Sequence, residues 1–494
     1  MTSQQIQFIL DNELVTIDFK RNDILPSTTV LNYLRSLDNH KGTKEGCAEG
    51  DCGACTVVLA ELDSNNKLIY KAVDSCLLFL ATIHGKQLIT IENLAKKTNA
   101  GIQLHPVQQA IVDQHASQCG YCTPGIAMSV LALYKTKTLP KPENIESALA
   151  GNLCRCTGYG SIIDAVKQAL ANPKSDQFTE KEAEIIIQLK KISEQTDIIE
   201  IHSTEQQYFI PKTLQQALYL RNSFTDAILV NGASDLAVRQ NKTFVFEKAF
   251  LDLSHITELK NIKQEKQHYS LGAGLSIEDF KTFIHKYFRE FSPILDHFAS
   301  LQIRHQASIG GNICTASPIG DLIPVLSVLQ AEIQIQSVNN KRLVPLENFI
   351  SGYRSIDLKS NELATNIIIP TRDKSILFFA EKISTRRDVD ISSLSISASL
   401  KYNSFGMIDD IQLIYGGLAS TVKHAVQAEN YLRGKIFNIN AFEKAMNEIE
   451  IDFEPISDAR STTSYRLSAA QNLLIKAYDS FQSQINKMEQ NGKN

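Results

Sequence analysis

The chain has 494 residues, is 43% hydrophobic and 21% charged, and carries a formal net charge of -4. At this length one core gives way to several, so roughly two to four domains are expected. The charge balance gives no reason to expect nucleic-acid or membrane-surface binding, and the start, MTSQQIQFILDNELVTIDF, lacks the basic and apolar segments of a secretory signal. No run approaches the ~18 apolar residues of a membrane span, so a cytoplasmic protein is expected.

Residues 1–91 alternate as strands do. Ile6, Phe8 and Leu10 share one face, as do Val15, Ile17 and Phe19, with a two-residue turn at Asp11-Asn12 between them. Ser27 and Thr28 precede a helical stretch at 30–37. Strands are expected at 56–62, 68–73 and 87–91, and the apolar run 76–83 reads as a core element. Over 92–171 the period becomes helical. Val107, Ala110, Ile111 and Gln114 fit one helix, and Ile126, Val130 and Leu133 fit another that starts near Pro124. A third, 143–150, ends at Gly151 as a candidate C-cap, and 161–170 makes a fourth. Residues 172–206 are polar and charged and read as a linker with some helix. Strands and helices then alternate with glycine turns over 207–372, and a strand-rich, then helix-rich, unit follows over 376–482. The end, 484–494, is expected to fray. The whole is a multidomain α+β chain.

Eight of the nine cysteines lie within the first 156 residues, which in a non-secreted chain favours metal or redox chemistry over disulfides. Cys47, Cys52 and Cys55 follow the C-x4-C-x2-C spacing of plant-type [2Fe–2S] sites, with Cys76 as the fourth thiolate. Their loop, GCAEGDCGACT, contains Gly46, Gly50 and Gly53, which let backbone N–H groups approach cluster sulfurs. A zinc site or four reduced core cysteines are the alternatives, though zinc knuckles prefer two C-x2-C pairs. The second set, Cys119-x2-Cys122 and Cys154-x-Cys156, fits zinc or a second iron–sulfur centre. Behind a plant-type cluster the second centre is the better reading, because two one-electron centres in series make a wire. Cys314 reads as a small buried hydrophobe.

Two later segments resemble phosphate-binding loops. In ILVNGASDL an apolar strand runs into Gly232, and in ASIGGNICTASPIGDLIP the pair Gly310-Gly311 could expose backbone N–H groups beside Ser308 and Asn312. Neither is a G-x-G-x-x-G, so a Rossmann fold is not indicated. On composition alone either loop could be only a turn.

The order GCAEGDCGACT, SQCGYCTPG, GNLCRCTGYG closely resembles the two-cluster domains of xanthine dehydrogenases, aldehyde oxidases and related molybdenum hydroxylases. ASIGGNICTASPIGDLIP, SGYR, KISTRRDVDIS, YGGLA and SYRLSAAQNLL are similar to flavin-domain motifs of the same family. The resemblance implies a β-grasp [2Fe–2S] ferredoxin domain, a four-helix [2Fe–2S] domain, a two-part FAD-binding domain and a C-terminal α+β domain like that of carbon monoxide dehydrogenase flavoproteins. It implies that Cys47, Cys52, Cys55 and Cys76 hold the cluster nearer FAD. Cys119, Cys122, Cys154 and Cys156 would hold the one nearer molybdenum, and Gln118 would bond the pterin. Val230, Gly232, Ala233, Ser234 and Asp235 match one FAD pyrophosphate loop, and Ser308, Gly311, Asn312 and Asp321 the other. Asp390 and Ile391 are expected near the flavin. Ala233 departs from the Asn of many relatives. Because no molybdenum domain follows Asn494, a separate large molybdenum subunit is the expected partner, in a dimer of heterodimers similar to bacterial xanthine dehydrogenases. Electrons from purine hydroxylation would pass through both clusters to FAD and then NAD. The rivals are an aldehyde or other N-heterocycle hydroxylase with the same cofactors, and a zinc-stabilised, non-redox nucleotide-binding scaffold.

Overall fold

The structure, a computed structural model, describes residues 4–20, 24–99, 101–136, 142–171, 173–194, 197–203 and 205–491. The chain divides into two compact units, Met1–Thr257 with Ala299–Ala307, and Glu258–Phe298 with Ser308–Asn494.

In the first unit the strands Gln5–Leu10 and Glu13–Asp18 pair antiparallel, closed by Asp11 in left-handed backbone at φ 57°. Gln5–Leu10 also pairs parallel with Gln87–Ile89, and Thr56–Leu62 and Leu68–Asp74 complete a five-stranded sheet. This is the expected ferredoxin-like topology. Ile6 and Phe8 are fully buried on one face, and Ile9 is fully buried on the other, so the sheet is covered on both sides. The helix Val30–Ser36 starts where expected, and its N-cap is Thr29, whose hydroxyl accepts from Asn32 N. The run 76–83 is core, as expected, wound into two short 3-10 turns rather than a strand or an α-helix.

The four helices expected next are Pro106–Asp113, Thr123–Tyr134, Pro142–Leu149 and Gly160–Ala171. Gly151 is not a left-handed cap, since its φ is not positive. It supplies room instead: a Cβ there would lie 2.4 Å from Gln302 Oε1. Beneath these helices Asp176 is buried between Lys135 Nζ at 2.8 Å and His105 Nε2 at 3.3 Å, and it caps the short helix Gln177–Glu180.

The stretch read as a linker is more ordered than its composition suggests. Glu182–Ser193 is a helix whose Ile185, Leu189 and Ile192 are buried at helical spacing. Ile199–His202 is a strand paired antiparallel with Gln207–Ile210, in a four-stranded sheet with Ile228–Val230 and Ala249–Asp252. Charged outer faces hid the narrow apolar stripe of the helix, and four residues are too few for alternation to register as a strand. The helix agrees with the helix expected within this stretch, and the strand was not expected; residues 172, 195–196 and 204 of that stretch lie outside the described ones.

The second unit contains a five-stranded antiparallel sheet, with strands Ile262–Gln264, His268–Gly272, Leu363–Pro370, Glu332–Gln336 and Lys341–Pro345 in spatial order. A second antiparallel sheet runs Leu377–Ile383, Leu394–Tyr402, Ile408–Gly416 and Lys423–His424. The helices Val426–Leu432, Ile439–Asp452 and Thr463–Asn491 share a core with it, the strand-then-helix order expected. The expected fraying from 484 onward is wrong for 484–491. Thr463–Asn491 is one helix, Ile485 is buried, and Gln484 Nε2 donates to Phe378 O at 2.9 Å. Residues 492–494 lie outside the described ones. Among the described residues no helix is long and apolar enough to cross a membrane.

One ion-pair cluster in this unit makes stability depend on pH above neutrality. His424 bonds Glu429 through Nδ1 and Glu347 through Nε2, each at 2.8 Å. Burial pulls the imidazole down, but the two carboxylates outweigh it and hold the pKa up to about 9. The folded pKa lies above the unfolded one of about 6.5, so the stabilisation is complete below pH ~6.5 and is lost as pH rises through about 9. The melting temperature should fall across that window, by up to about 3 kcal/mol in stability terms. In His424→Gln this component of the slope should vanish; an unchanged slope in the variant would remove His424 as its source.

Candidate functional site

Cys47, Cys52 and Cys55 lie on the loop entering strand Thr56–Leu62, and Cys76 lies in the 3-10 turn after the neighbouring strand Leu68–Asp74. Strand pairing of Thr56 with Asp74 therefore brings the fourth cysteine back to the first three. The thiols associate as two pairs, Cys47 with Cys52 and Cys55 with Cys76. The loop is tight because Gly50 and Gly53 adopt φ of 83° and 65°. Backbone N–H groups point at sulfur: Glu49 N and Asp51 N donate to Cys47 Sγ at 3.4 and 3.2 Å, and Cys47 N donates to Cys52 Sγ at 3.3 Å. The Cys52 thiol and these amides hold Cys47 down to about 5. Behind the loop, burial lifts Asp74 to about 8, and Cys55 Sγ bonds its Oδ1 at 3.6 Å.

The second set is also two pairs. Cys119 meets Cys156, and Cys122 meets Cys154, joining the approach to helix Thr123–Tyr134 with the turn before helix Gly160–Ala171. The Tyr121 N–H and the Cys156 thiol lower Cys119, whereas burial pushes Cys122 up to about 12. Cys119 and Cys156 are exposed, as are Gln118, Tyr121 and Leu153 beside them. Two pairs of thiols per set is the donor arrangement a [2Fe–2S] cluster requires, one pair for each iron.

The two sets are stitched together. Leu153 N, adjacent to Cys154, donates to Cys52 O at 3.0 Å. Asn152 Nδ2 donates to Gly53 O at 3.0 Å, while its Oδ1 accepts from Ser129 Oγ and from Gln302 Nε2. Sequence reasoning missed Asn152, Ser129 and Gln302, because a buried amide leaves no spacing signature. The run of apolar neighbours around Ser129 in its helix was the one available hint, since a polar residue there needs a partner.

The expected flavin residues fall in both units. In the first, Val230 ends a parallel strand, Gly232 sits at φ 85°, and Ala233 sits at φ 57° before the helix Ser234–Thr243. The left-handed backbone at 233 is one that Asn, the residue expected there from the family resemblance, tolerates better than Ala. A Cβ on Gly232 would lie 2.0 Å from Gln306 O, so only glycine fits. The N-cap residue, Ala233, offers no side-chain cap to the first-turn amides around Ser234 and Asp235. In the second unit Ser308 accepts from Gly311 N at 3.1 Å, and among the described residues buried Asn312 Oδ1 has no hydrogen-bond partner. The Asn312 oxygen suits a polar ligand that donates to it, while the Ser308 hydroxyl caps the helix Ile309–Thr315. Asp321 and Asp390 are brought together by Lys382, whose Nζ lies 2.8 Å from Asp321 Oδ2 and 3.1 Å from Asp390 O; Ser392 Oγ also donates to Asp321, at 2.5 Å. Ile391 is exposed. Lys382 and Ser392 were not singled out, although both lie within KISTRRDVDIS. Cys314 is partly buried, and burial pushes its thiol up to about 12.

Three sequence families match. A [2Fe-2S] binding domain covers residues 90–167, the FAD binding domain in molybdopterin dehydrogenase covers 199–372, and the CO dehydrogenase flavoprotein C-terminal domain covers 379–481. Xanthine dehydrogenase of Emericella nidulans is 30% identical over 97% of this chain and 39% of its own length. Xanthine dehydrogenase/oxidase of Gallus gallus is 28% identical over 100% of this chain and 41% of its own. The chain thus spans about two fifths of these relatives. In fold, a carbon monoxide dehydrogenase chain from Hydrogenophaga pseudoflava superposes with TM-score 0.52 at 23% identity, over 55% of this chain and 96% of that one. Quinoline 2-oxidoreductase from Pseudomonas putida 86 gives 0.52 at 22% identity, over 56% and 96%. The matches run in the same order as the cysteine loops and flavin motifs, and on that agreement the chain belongs to the molybdenum hydroxylase family, within which it carries iron–sulfur and FAD-binding domains.

Proposed function

We propose that this chain is the iron–sulfur and flavin subunit of a xanthine dehydrogenase, passing electrons from purine hydroxylation on a separate molybdenum subunit to NAD. The carrying observation is the pair of four-thiol sets joined by the Leu153–Cys52 hydrogen bond. Cys47, Cys52, Cys55 and Cys76 would hold one cluster, and Cys119, Cys122, Cys154 and Cys156 the other. Val230, Gly232, Ala233, Ser234 and Asp235, with Ser308, Gly311, Asn312, Asp321, Asp390 and Ile391, would hold FAD. When bound, the clusters supply one-electron transfer, and FAD supplies the conversion between single electrons and hydride.

The chain's own residues position and shield. The amides of Glu49 and Asp51 offset charge on Cys47 Sγ, which raises a cluster's affinity for an added electron. Leu153 and Asn152 keep the two cysteine loops one hydrogen bond apart. The exposed surface around Cys119, Cys156, Tyr121 and Leu153 supports a molybdenum subunit docking there, with Gln118 toward its pterin. In this reading the domains are 1–91, 92–171, 207–372 and 376–482, and the assembly is a cytoplasmic dimer of heterodimers.

The test is the complex purified anaerobically with its molybdenum subunit. It should contain iron, acid-labile sulfide and FAD, show two distinct paramagnetic signals on reduction, and have its flavin reduced by xanthine or hypoxanthine and reoxidised by NAD. Colourless protein with zinc and no flavin would end the electron-transfer reading. Flavin reduction by an aldehyde or another N-heterocycle, but by no purine, would end the substrate assignment.

A further inference from the structure

Two side-chain amides connect the ferredoxin-type cysteine loop to the Gly232 loop and its helix, all within the first unit. Gln306 Nε2 donates to Leu77 O at 2.7 Å and to Gly232 O at 2.8 Å. Asn241 Nδ2 donates to Cys76 O at 2.8 Å and to Ala48 O at 3.0 Å. Successive carbonyls at one cysteine of the set are thus each taken by an amide from outside the ferredoxin domain. The amide orientations are forced, because all four partners are carbonyls and only N–H can face them. Asn241 lies near the end of the helix Ser234–Thr243, whose other end is the Gly232 turn. At 1.5 Å per residue that helix is a strut of about 15 Å. Gln306 makes a second, far shorter link, and its backbone carbonyl is the atom against which Gly232 is packed.

We propose that Gln306 and Asn241 are positioning residues that lock the Cys76 side of the cluster site to the Gly232 loop, fixing the separation of cluster and flavin nucleotide and tuning the cluster. The inference rests on the cofactor assignment of the preceding section. The physical reason for tuning is the sign of the dipole. An N–H group directed at a carbonyl beside a ligand cysteine brings positive charge toward the cluster and favours its reduced, more negative state. Removing it lowers the potential. The locking role follows from sharing: losing the Gln306 amide removes a hydrogen bond from each segment at once.

The experiment uses the purified holoenzyme with Gln306→Leu, Asn241→Leu and the milder Gln306→Met. Iron, sulfide and FAD are measured first, then the potential of each cluster by paramagnetic titration, then the rate of electron transfer between cluster and flavin after rapid reduction. Each substitution should lower the reduced-to-oxidised ratio of one cluster about threefold to tenfold at fixed ambient potential, the range for losing hydrogen bonds of ordinary strength. The other cluster should not move. Slower reduction of flavin, or loss of FAD with iron retained, in the Gln306 variants also supports the lock. Full iron and FAD with unchanged potentials and rates in all three variants would overturn it and leave the cofactor assignment standing. Wild-type complex without iron would remove the cofactor assignment itself.

Discussion

Cys55→Ala should halve the iron carried by the complex and abolish electron delivery to the flavin, whereas Cys314→Ala should leave the iron unchanged. The contrast follows from where the thiols sit. Cys55 is 2% exposed and packs against Cys76 and Asp74 at the base of the glycine loop. Alanine would remove one of the four proposed ligands and leave one iron with an incomplete shell. It also leaves Asp74 without the Cys55 contact, on a carboxyl already lifted to about 8 by burial and whose Oδ2 has no hydrogen-bond partner among the described residues. The second set, with its own two pairs, should keep its cluster. Iron analysis with paramagnetic spectra of the reduced complex checks this: one signal should vanish and the other remain. Full iron in Cys55→Ala, or lost iron in Cys314→Ala, would reassign the ligands.

How far the sequence could be read follows from the range of each interaction. The cysteine loop was legible because three of four thiols must come from one short segment, so their spacing is itself the geometry. The hairpin at Asp11-Asn12 and the helix starting near Pro124 were legible for the same local reason. Ile199–His202 was not, because a four-residue strand owes its existence to pairing with Gln207–Ile210. Nor was the end of the helix Thr463–Asn491, which contacts a strand roughly a hundred residues away through Gln484 and Phe378. The site shows the same division. Asp321 was matched from its motif, but Lys382 and Ser392, which hold it, lie 61 and 71 residues away in sequence. Gln306 immediately precedes a motif stretch yet has no signature of its own, since an amide serving two carbonyls looks in sequence like any other glutamine.

Gly125→Ala should destabilise the two-cluster region by about 1–3 kcal/mol, while the same change at Gly160 should shift stability by no more than about 0.5 kcal/mol. Both glycines are helical, so propensity favours alanine at each. The surroundings differ. A Cβ at Gly125 would lie 2.1 Å from Gly53 O, whereas one at Gly160 meets nothing within 4 Å. Relieving the first clash requires roughly an ångström of separation between the helix Thr123–Tyr134 and the cysteine loop, because neither backbone can rotate away as a side chain can. Gly53 cannot retreat: it is held at φ 65°, and its own Cβ position is 2.3 Å from Gly151 O. The displacement therefore falls on the contacts that join the two cysteine sets, Asn152 to Gly53 O and Leu153 to Cys52 O. Thermal unfolding of the two variants measures the difference in stability. In Gly125→Ala the rate of electron exchange between the clusters should fall together with the melting temperature, and in Gly160→Ala neither should move. Equal stability in the two variants would mean that the close packing of these backbones contributes nothing to holding the sites together.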